Sequence, residues 1–289
     1  MTDGPGPYRR WVLAARPRTL PAALVPVFVG AALVRPASLN WLNSVLCVVV
    51  ALALQIGTNF ANDYSDGIRG ADEVRVGPFR LAASKLVPPS TVRLAAFGWF
   101  LTAGFVGLWL ASRTSWWLLL VGFTAILAGW FYTGGPRPYG YYGFGELFVM
   151  IYFGFVATVG TSYVQHLSIP ASSWWFGLAT GAMACALLEA NNLRDVDGDR
   201  AVGKKTLAAR LGRGRAPWLY VACVALAVVG IVVGGEALAG AVALALYIRP
   251  VQMAFSPRDG RELLPLLQIS ARSQLVVGAV LVVSFWVTR

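Results

Sequence analysis

Thirteen carboxylates serve a chain of 289 residues, and seven of them crowd into two short segments. Asp63, Asp66, Asp72 and Glu73 lie in TNFANDYSDGIRGADE, and Asp195, Asp197 and Asp199 in LLEANNLRDVDGDR. Asn59, Asn62, Asp63 and Asp66 follow i, i+3, i+4, i+7. Asn191, Asp195 and Asp199 follow i, i+4, i+8, so each segment, as a helix, presents a stripe of oxygen donors. Donors of this type without His or thiolate favour magnesium or calcium over zinc, and magnesium characteristically bridges a few carboxylates to substrate phosphates. Helix capping explains any one of these residues alone. It does not explain the gathering, because membrane-edge carboxylates are costly and repel one another unless a cation compensates. Asn62-x-x-x-Asp66 and Asn191-x-x-x-Asp195 also align as a diverged internal repeat 129 residues apart. The first copy reaches Asp72 by a six-residue step containing Gly67 and Gly70, which predicts that its helix ends or unwinds there.

Basic residues accompany both clusters: Arg69, Arg75, Arg80 and Lys85 follow the first, and Arg194, Arg200, Lys204 and Lys205 flank the second. Arg offers bidentate donors to phosphate and Lys a compact charge, which suits a diphosphate bound across metal ions. Each also satisfies the ordinary cytoplasmic bias of membrane proteins, so position alone does not choose. In FYTGGPRPYGYYGFGELF (131–148), Arg137 stands among Tyr132, Tyr139, Tyr141 and Tyr142. That grouping reads either as an interfacial aromatic belt or as a cradle in which a cation and tyrosines hold an anionic aromatic ring.

The elements that must position these groups are apolar helices. AVILMFWYC residues make up 57% of the chain and charged residues only 13%, far below the roughly 25% of soluble domains. Segments of membrane-spanning size predict nine helices, at about 20–34, 41–61, 91–111, 115–133, 145–165, 173–192, 216–234, 237–255 and 268–287. With the N-terminus in the cytoplasm, 21 of the 24 basic residues fall on the cytoplasmic side, leaving Arg35, Arg113 and Arg289 outside. An odd helix count puts the C-terminus outside. The net charge of +11 therefore marks a membrane face, not a nucleic-acid surface. Cys47, Cys185 and Cys223 sit singly in apolar runs and read as packing residues. His166 falls in an outer loop remote from the acidic clusters. The N-terminal residues lack the pattern of a removable signal, and one polytopic domain over 1–289, with 1–15 as a cytoplasmic segment, is expected. A cation transporter would also use paired intramembrane carboxylates and a half-chain repeat, but with its site near the midplane. Here both clusters fall on one face.

The chain resembles the UbiA superfamily of intramembrane prenyltransferases, marked by two Asn/Asp-rich motifs about half the chain apart. ARPRTLPAALVPVFVG (15–30), NDYSDGIRGADEVRVGPFR (62–80), RPYGYYGFGE (137–146) and NNLRDVDGDRAVGKKTLAARLG (191–212) are similar to the branch that prenylates 1,4-dihydroxy-2-naphthoate in menaquinone biosynthesis. The resemblance implies an all-α integral membrane fold, nine transmembrane helices around a central cavity capped on the cytoplasmic side by two aspartate-bearing loops, in the plasma membrane. It implies Mg2+, as two ions, and a lipid-borne polyprenyl diphosphate as donor. The implied metal shell is Asn62, Asp66, Asp72, Asn191, Asp195 and Asp199, with Asp63 and Asp197 as further candidates, and Asp66, Asp72, Asp195 and Asp199 as the catalytic carboxylates. Arg16, Arg18, Arg80, Lys85, Arg194, Lys204 and Lys205 are implied to serve the diphosphate or the acceptor's carboxylate. Tyr132, Arg137 and Tyr139 are expected near the ring, and apolar helix faces around the isoprenoid tail. Other acceptors of the superfamily, such as 4-hydroxybenzoate, homogentisate or haem, remain alternatives at this level.

Overall fold

The structure, a computed structural model, describes residues 6–70, 80–256 and 260–288, so Asp72, Glu73 and Arg75 lie outside the described residues. Among those described, the regular elements are all helices. They are α1 (Pro7–Ala14), α2 (Pro21–Ala32), α3 (Trp41–Ile68), α4 (Pro89–Arg113), α5 (Trp117–Phe131), α6 (Gly145–His166), α7 (Ala171–Ala201), α8 (Leu207–Leu211), α9 (Ala216–Val233), α10 (Ala237–Ala254) and α11 (Leu264–Thr288).

Each of the nine apolar segments falls on a helix, but nine full spans are more than helix length supports. Seven helices, α3, α4, α6, α7, α9, α10 and α11, are long and apolar enough to cross a membrane. The helical stretch Pro21–Ala32 reaches span size only together with Pro7–Thr19, from which it bends by 54°. Arg16 takes a left-handed φ of 55° at that break, and Pro17 and Pro21 follow it, each unable to continue a helix from the residue before. Helix α5 has 15 residues, about 22 Å at 1.5 Å per residue against a hydrocarbon core of about 30 Å.

Two helices overshoot instead. Helix α3 starts where the Asn40 side chain accepts from the Asn43 amide at 3.0 Å, and it runs for 28 residues. Helix α7 runs for 31. At about 42 and 46 Å, both outreach the apolar core, and their last turns carry the Asn/Asp motifs. Residues 62–66 and 191–199 therefore lie on helices, as their spacing predicts, although the family resemblance implied aspartate-bearing loops. Asn40 and Gln165, joined at 2.9 Å, and Arg113 and Asn43, joined at 3.0 Å, mark the opposite end of the bundle.

Small residues let α7 sit at the centre. The run ATGAMACA (179–186) is almost entirely buried. A Cβ on Gly154 of α6 would lie 2.6 Å from the Gly177 carbonyl oxygen and 2.8 Å from Gly181 Cα, so backbone meets backbone there. Within α6, Met150–Val159 widens into a π-helical stretch that faces Phe153, Val156 and Ala157 into the central cavity. Pro250 leaves the Leu246 carbonyl without its helical donor, and the Ser273 hydroxyl of α11 supplies one at 3.2 Å. The outer surface is apolar: Trp41, Trp116, Trp117 and Trp174 stand exposed at the ends of α3, α5 and α7, as an interfacial belt requires.

Gly154→Ala should therefore lower stability by about 1–3 kcal/mol through overpacking. The same change at Gly98, where an added Cβ meets nothing within 4 Å, should be neutral or stabilising by up to about 1 kcal/mol through helix propensity. Thermal midpoints of the two variants in detergent decide the matter; equal shifts would refute the close α6–α7 approach.

Candidate active site

A cavity of about 830 Å³ runs along the inside of the bundle. On α3 its wall extends from Asp66 down to Cys47, roughly 28 Å of helix at 1.5 Å per residue. The deep end is apolar, with Val27, Cys47, Leu110 and Val164. The shallow end is charged.

Asn59, Asn62 and Asp66 face this cavity from α3, and Asn191, Asn192 and Asp199 from α7. Asp63 does not line it. It sits 60° round the helix from Asp66 and 100° from Asn62, and its two oxygens accept the backbone amides of Leu81 and Ala82 at 2.8 and 3.1 Å. A fully buried carboxylate thereby fastens the chain just beyond Arg80. Asn62 Oδ1 accepts from Thr133 at 2.7 Å, and Asn59 ties α3 to the Ala15 carbonyl at 2.9 Å.

Asp66 is the meeting point. Its carboxylate accepts from the Tyr141 hydroxyl at 2.7 Å and from Lys204 Nζ at 3.2 Å, with Arg80 at 3.7 Å. Lys204 also lies 4.6 Å from the centre of the Tyr141 ring. Asp66 and Asp199 occupy the last turns of α3 and α7, where the partial negative charge of a helix C-terminus disfavours a carboxylate. Cations are therefore needed beside them. Asp195 meets Arg194 in a bidentate pair at 2.6 and 2.7 Å, and Arg194, not Asp195, lines the cavity. Arg194 Nη1 is buried without a hydrogen-bond partner among the described residues. Asp197 points outward to Arg213 at 2.7 Å.

The remaining candidates divide. Arg16, Arg18, Arg80, Arg194 and Lys204 line the cavity, with Gln268 Oε1, in its satisfied amide orientation, accepting from Arg18 at 3.0 and 3.2 Å. Tyr132, Tyr139 and Tyr141 line it too, and Tyr139 stacks on Phe148 at 4.0 Å. Burial pushes the Tyr139 phenol well above the usual tyrosine range, so it stays a donor, to the Ala128 carbonyl at 2.9 Å. Lys85 and Arg137 are exposed and lie off the cavity, and Lys205 contributes only backbone contacts among the described residues, its amide donating to the Tyr141 carbonyl at 2.8 Å. Thr133, Asn192 and Gln268 were not singled out from the sequence; the adjacent pair Asn191-Asn192 was the one visible signal.

Five cations thus face two carboxylates among the described lining residues, which makes an anion site. No group of three or more His, Cys, Asp or Glu that could hold a metal occurs among the described residues. The donors do fit magnesium held jointly with a phosphate: hard oxygens of Asp66, Asp199, Asn62 and Asn191, with the other positions filled by ligand and water.

Asp63→Ala would leave two buried amides without an acceptor, at a cost on the order of 2 kcal/mol. Limited trypsinolysis should release a fragment ending at Arg80 faster than from wild type or from Asp197→Ala. Equal cleavage rates would show that Asp63 does not hold this segment.

The match to known proteins follows this geometry. A profile of the UbiA prenyltransferase family matches residues 23–267. The chain is 46% identical over 282 residues, 93% of its own length and 94% of the relative's, to 1,4-dihydroxy-2-naphthoate octaprenyltransferase of Mycobacterium tuberculosis (strain ATCC 25618 / H37Rv). In fold it is similar to a UbiA homolog from Aeropyrum pernix K1, with TM-score 0.70, 17% identity and coverage of 92% and 96% of the two chains. A UbiA homolog from Archaeoglobus fulgidus bound to DMAPP and Mg2+ superposes with TM-score 0.65, 15% identity and coverage of 95% and 99%. The chain is a multi-pass membrane protein and belongs to the UbiA prenyltransferase family.

Proposed function

We propose that this protein transfers a polyprenyl group from an allylic polyprenyl diphosphate to 1,4-dihydroxy-2-naphthoate, with loss of the carboxylate, giving demethylmenaquinone in its quinol form. One observation carries the reading: a single cavity joins a cationic, carboxylate-bearing mouth at Asp66 and Lys204 to an apolar trough reaching Cys47. A diphosphate with a long hydrocarbon tail has that same polarity profile. The relative at 46% identity bears the name of this activity, and the Archaeoglobus fulgidus homolog binds DMAPP with Mg2+.

In this reading Arg80, Lys204 and the unpartnered Nη1 of Arg194 receive the diphosphate. Asn62, Asp66, Asn191 and Asp199 would hold magnesium, two ions in all, with Asp72 and Asp195 as further ligands. Bound magnesium supplies charge neutralisation to the departing diphosphate. The allylic C–O bond breaks and its electron pair leaves with the diphosphate. The cations of this mouth stabilise the charge that develops there, where preorganised electrostatics act most strongly. Tyr132, Tyr139, Phe148 and Tyr152 present aromatic faces along the wall and shield the allylic cation from water. The ring carbon bearing the carboxylate forms the new C–C bond, and its bond to the carboxylate breaks to release carbon dioxide. The electrons of that bond restore the aromatic ring, so no ring proton has to be removed. A transporter reading loses ground because both motifs sit at helix ends on one side of the bundle.

The charge distribution supports nine crossings, with α5 and the bent α1–α2 pair counted among them, as one polytopic domain over 1–289 in the plasma membrane. The N-terminus, including 1–15, is cytoplasmic and the C-terminus extracytoplasmic. A reporter fused after Arg289 should read extracytoplasmic; a cytoplasmic signal would leave an even number of crossings.

Purified protein with magnesium and a polyprenyl diphosphate should prenylate 1,4-dihydroxy-2-naphthoate and release carbon dioxide. 4-Hydroxybenzoate should react at least tenfold more slowly in kcat/KM, a difference of about 1.4 kcal/mol or more. Asp66→Ala and Asp195→Ala should each abolish turnover without unfolding the protein, and chelation should stop it reversibly. A product retaining the carboxylate, or full activity in excess chelator, would defeat the assignment.

A further inference from the structure

One buried polar cluster lies beside the metal motifs and plays no part in the chemistry above. Asn192 follows Asn191 by one residue, which turns it 100° round α7 toward the start of α6. Its amide nitrogen donates to Glu146 Oε1 at 3.0 Å and to Glu189 Oε1 at 3.3 Å. An Oε1 without a proton accepts from N–H in either charge state of its carboxyl group, so both partners hold the nitrogen end. Swapping the amide would forfeit both of these bonds. The orientation of Asn192 is therefore set, with Oδ1 on the side away from Glu146 and Glu189.

That oxygen has a destination. Asn192 is 8% exposed, and it lines the cavity, whereas Glu146 and Glu189 do not. Among the described residues Oδ1 accepts no hydrogen bond. It shares that cavity with Tyr132, Tyr139, Phe148 and Tyr152. Leu188, one turn earlier on the same face of α7, lies 3.3 Å from where a Gly145 Cβ would stand, and the Tyr132 hydroxyl lies 3.5 Å from the same point. Tyr139, Phe148 and Tyr152 continue the wall in successive stacked contacts. Glu189 is fully buried, and committing two carboxyl groups to hold one amide is expensive in a membrane protein. What the expense secures is an acceptor of fixed direction in a slot for a flat ring.

We infer that Asn192 Oδ1, held by Glu146 and Glu189, accepts a hydrogen bond from a ring hydroxyl of the aromatic acceptor and so selects hydroxylated rings. Asn192 is a specificity-determining residue, and Glu146 and Glu189 are positioning residues. The inference rests on the proposed acceptor reaction. A site built around a substrate hydroxyl rejects the analogue lacking it strongly, because the buried partner is then left unpaired.

The test measures competitive inhibition constants of 1-hydroxy-2-naphthoate and 4-hydroxy-2-naphthoate against KM for 1,4-dihydroxy-2-naphthoate. Wild type should discriminate against one analogue by about tenfold or more. In Asn192→Ala that ratio should fall to within about twofold, while KM for the polyprenyl diphosphate stays within about twofold of wild type. Asn192→Leu, closer in volume, is read in the same way should the alanine variant not accumulate. Glu146→Gln keeps an acceptor oxygen and should retain most of the discrimination; Glu146→Leu should lose it. Wild type that prenylates the dihydroxy acceptor but treats both analogues alike, or discrimination unchanged in both Asn192 variants, overturns this inference and leaves the reaction standing. No turnover of the dihydroxy acceptor by wild type overturns both.

Discussion

Everything at the mouth of the cavity depends on how Asp66 is accommodated where it stands. It is nearly inaccessible to solvent, in the last turn of α3, at the negative end of a helix that emerges from an apolar bundle. Lys204 and Arg80, both buried, compensate the charge from segments far away in sequence. The contact is thus also the clasp between the two halves of the chain, because Lys204 follows α7 directly. The same cations that stabilise the carboxylate are placed to meet an anion, and the site is poised between the two uses. A local arrangement unfavourable to stability is the expected mark of a functional site.

The bundle supports this clasp by close approach, not by large side chains. Helix α7 is central because Ala and Gly dominate its middle, and the Gly154 contact with Gly177 and Gly181 brings α6 against it with no side chain between. Between lipid-embedded helices there is no hydrophobic gain to be had from burying one more leucine, so packing and internal hydrogen bonds must hold the assembly. The Ser273 bond to the carbonyl freed by Pro250, and the Tyr220–Ser270 contact at 2.6 Å, belong to the same economy. The wall facing the cavity is left lined by aromatic and aliphatic residues.

Much of this was legible in the residues. The apolar segments coincide with helices, and the spacing of Asn62, Asp66, Asn191 and Asp199 placed their side chains on single helix faces that do meet one cavity. Less legible were the lengths. Hydropathy marks where lipid ends, and α3 and α7 simply continue as helices beyond that point. Conversely α5 is shorter than the segment read for it, and Pro17 and Pro21 break the first apolar stretch.

Composition and periodicity by themselves determined that the chain is helical, that it lies in a membrane, and that two oxygen-rich stripes accompany clustered cations. These properties follow from local rules, 3.6 residues per turn and the free energy of placing each side chain in lipid or water. Only the tertiary structure decided which members of each stripe face inward. Asp63 and Asp66 are three residues apart and nearly in phase, yet one binds backbone amides and the other binds Lys204. Arg137 and Lys85 turn outward, Arg194 stands before Asp195, and Asn192 is fixed by carboxyl groups on two helices. The rotational setting of one helix against another is fixed by packing among residues distant in sequence, and no local pattern encodes it.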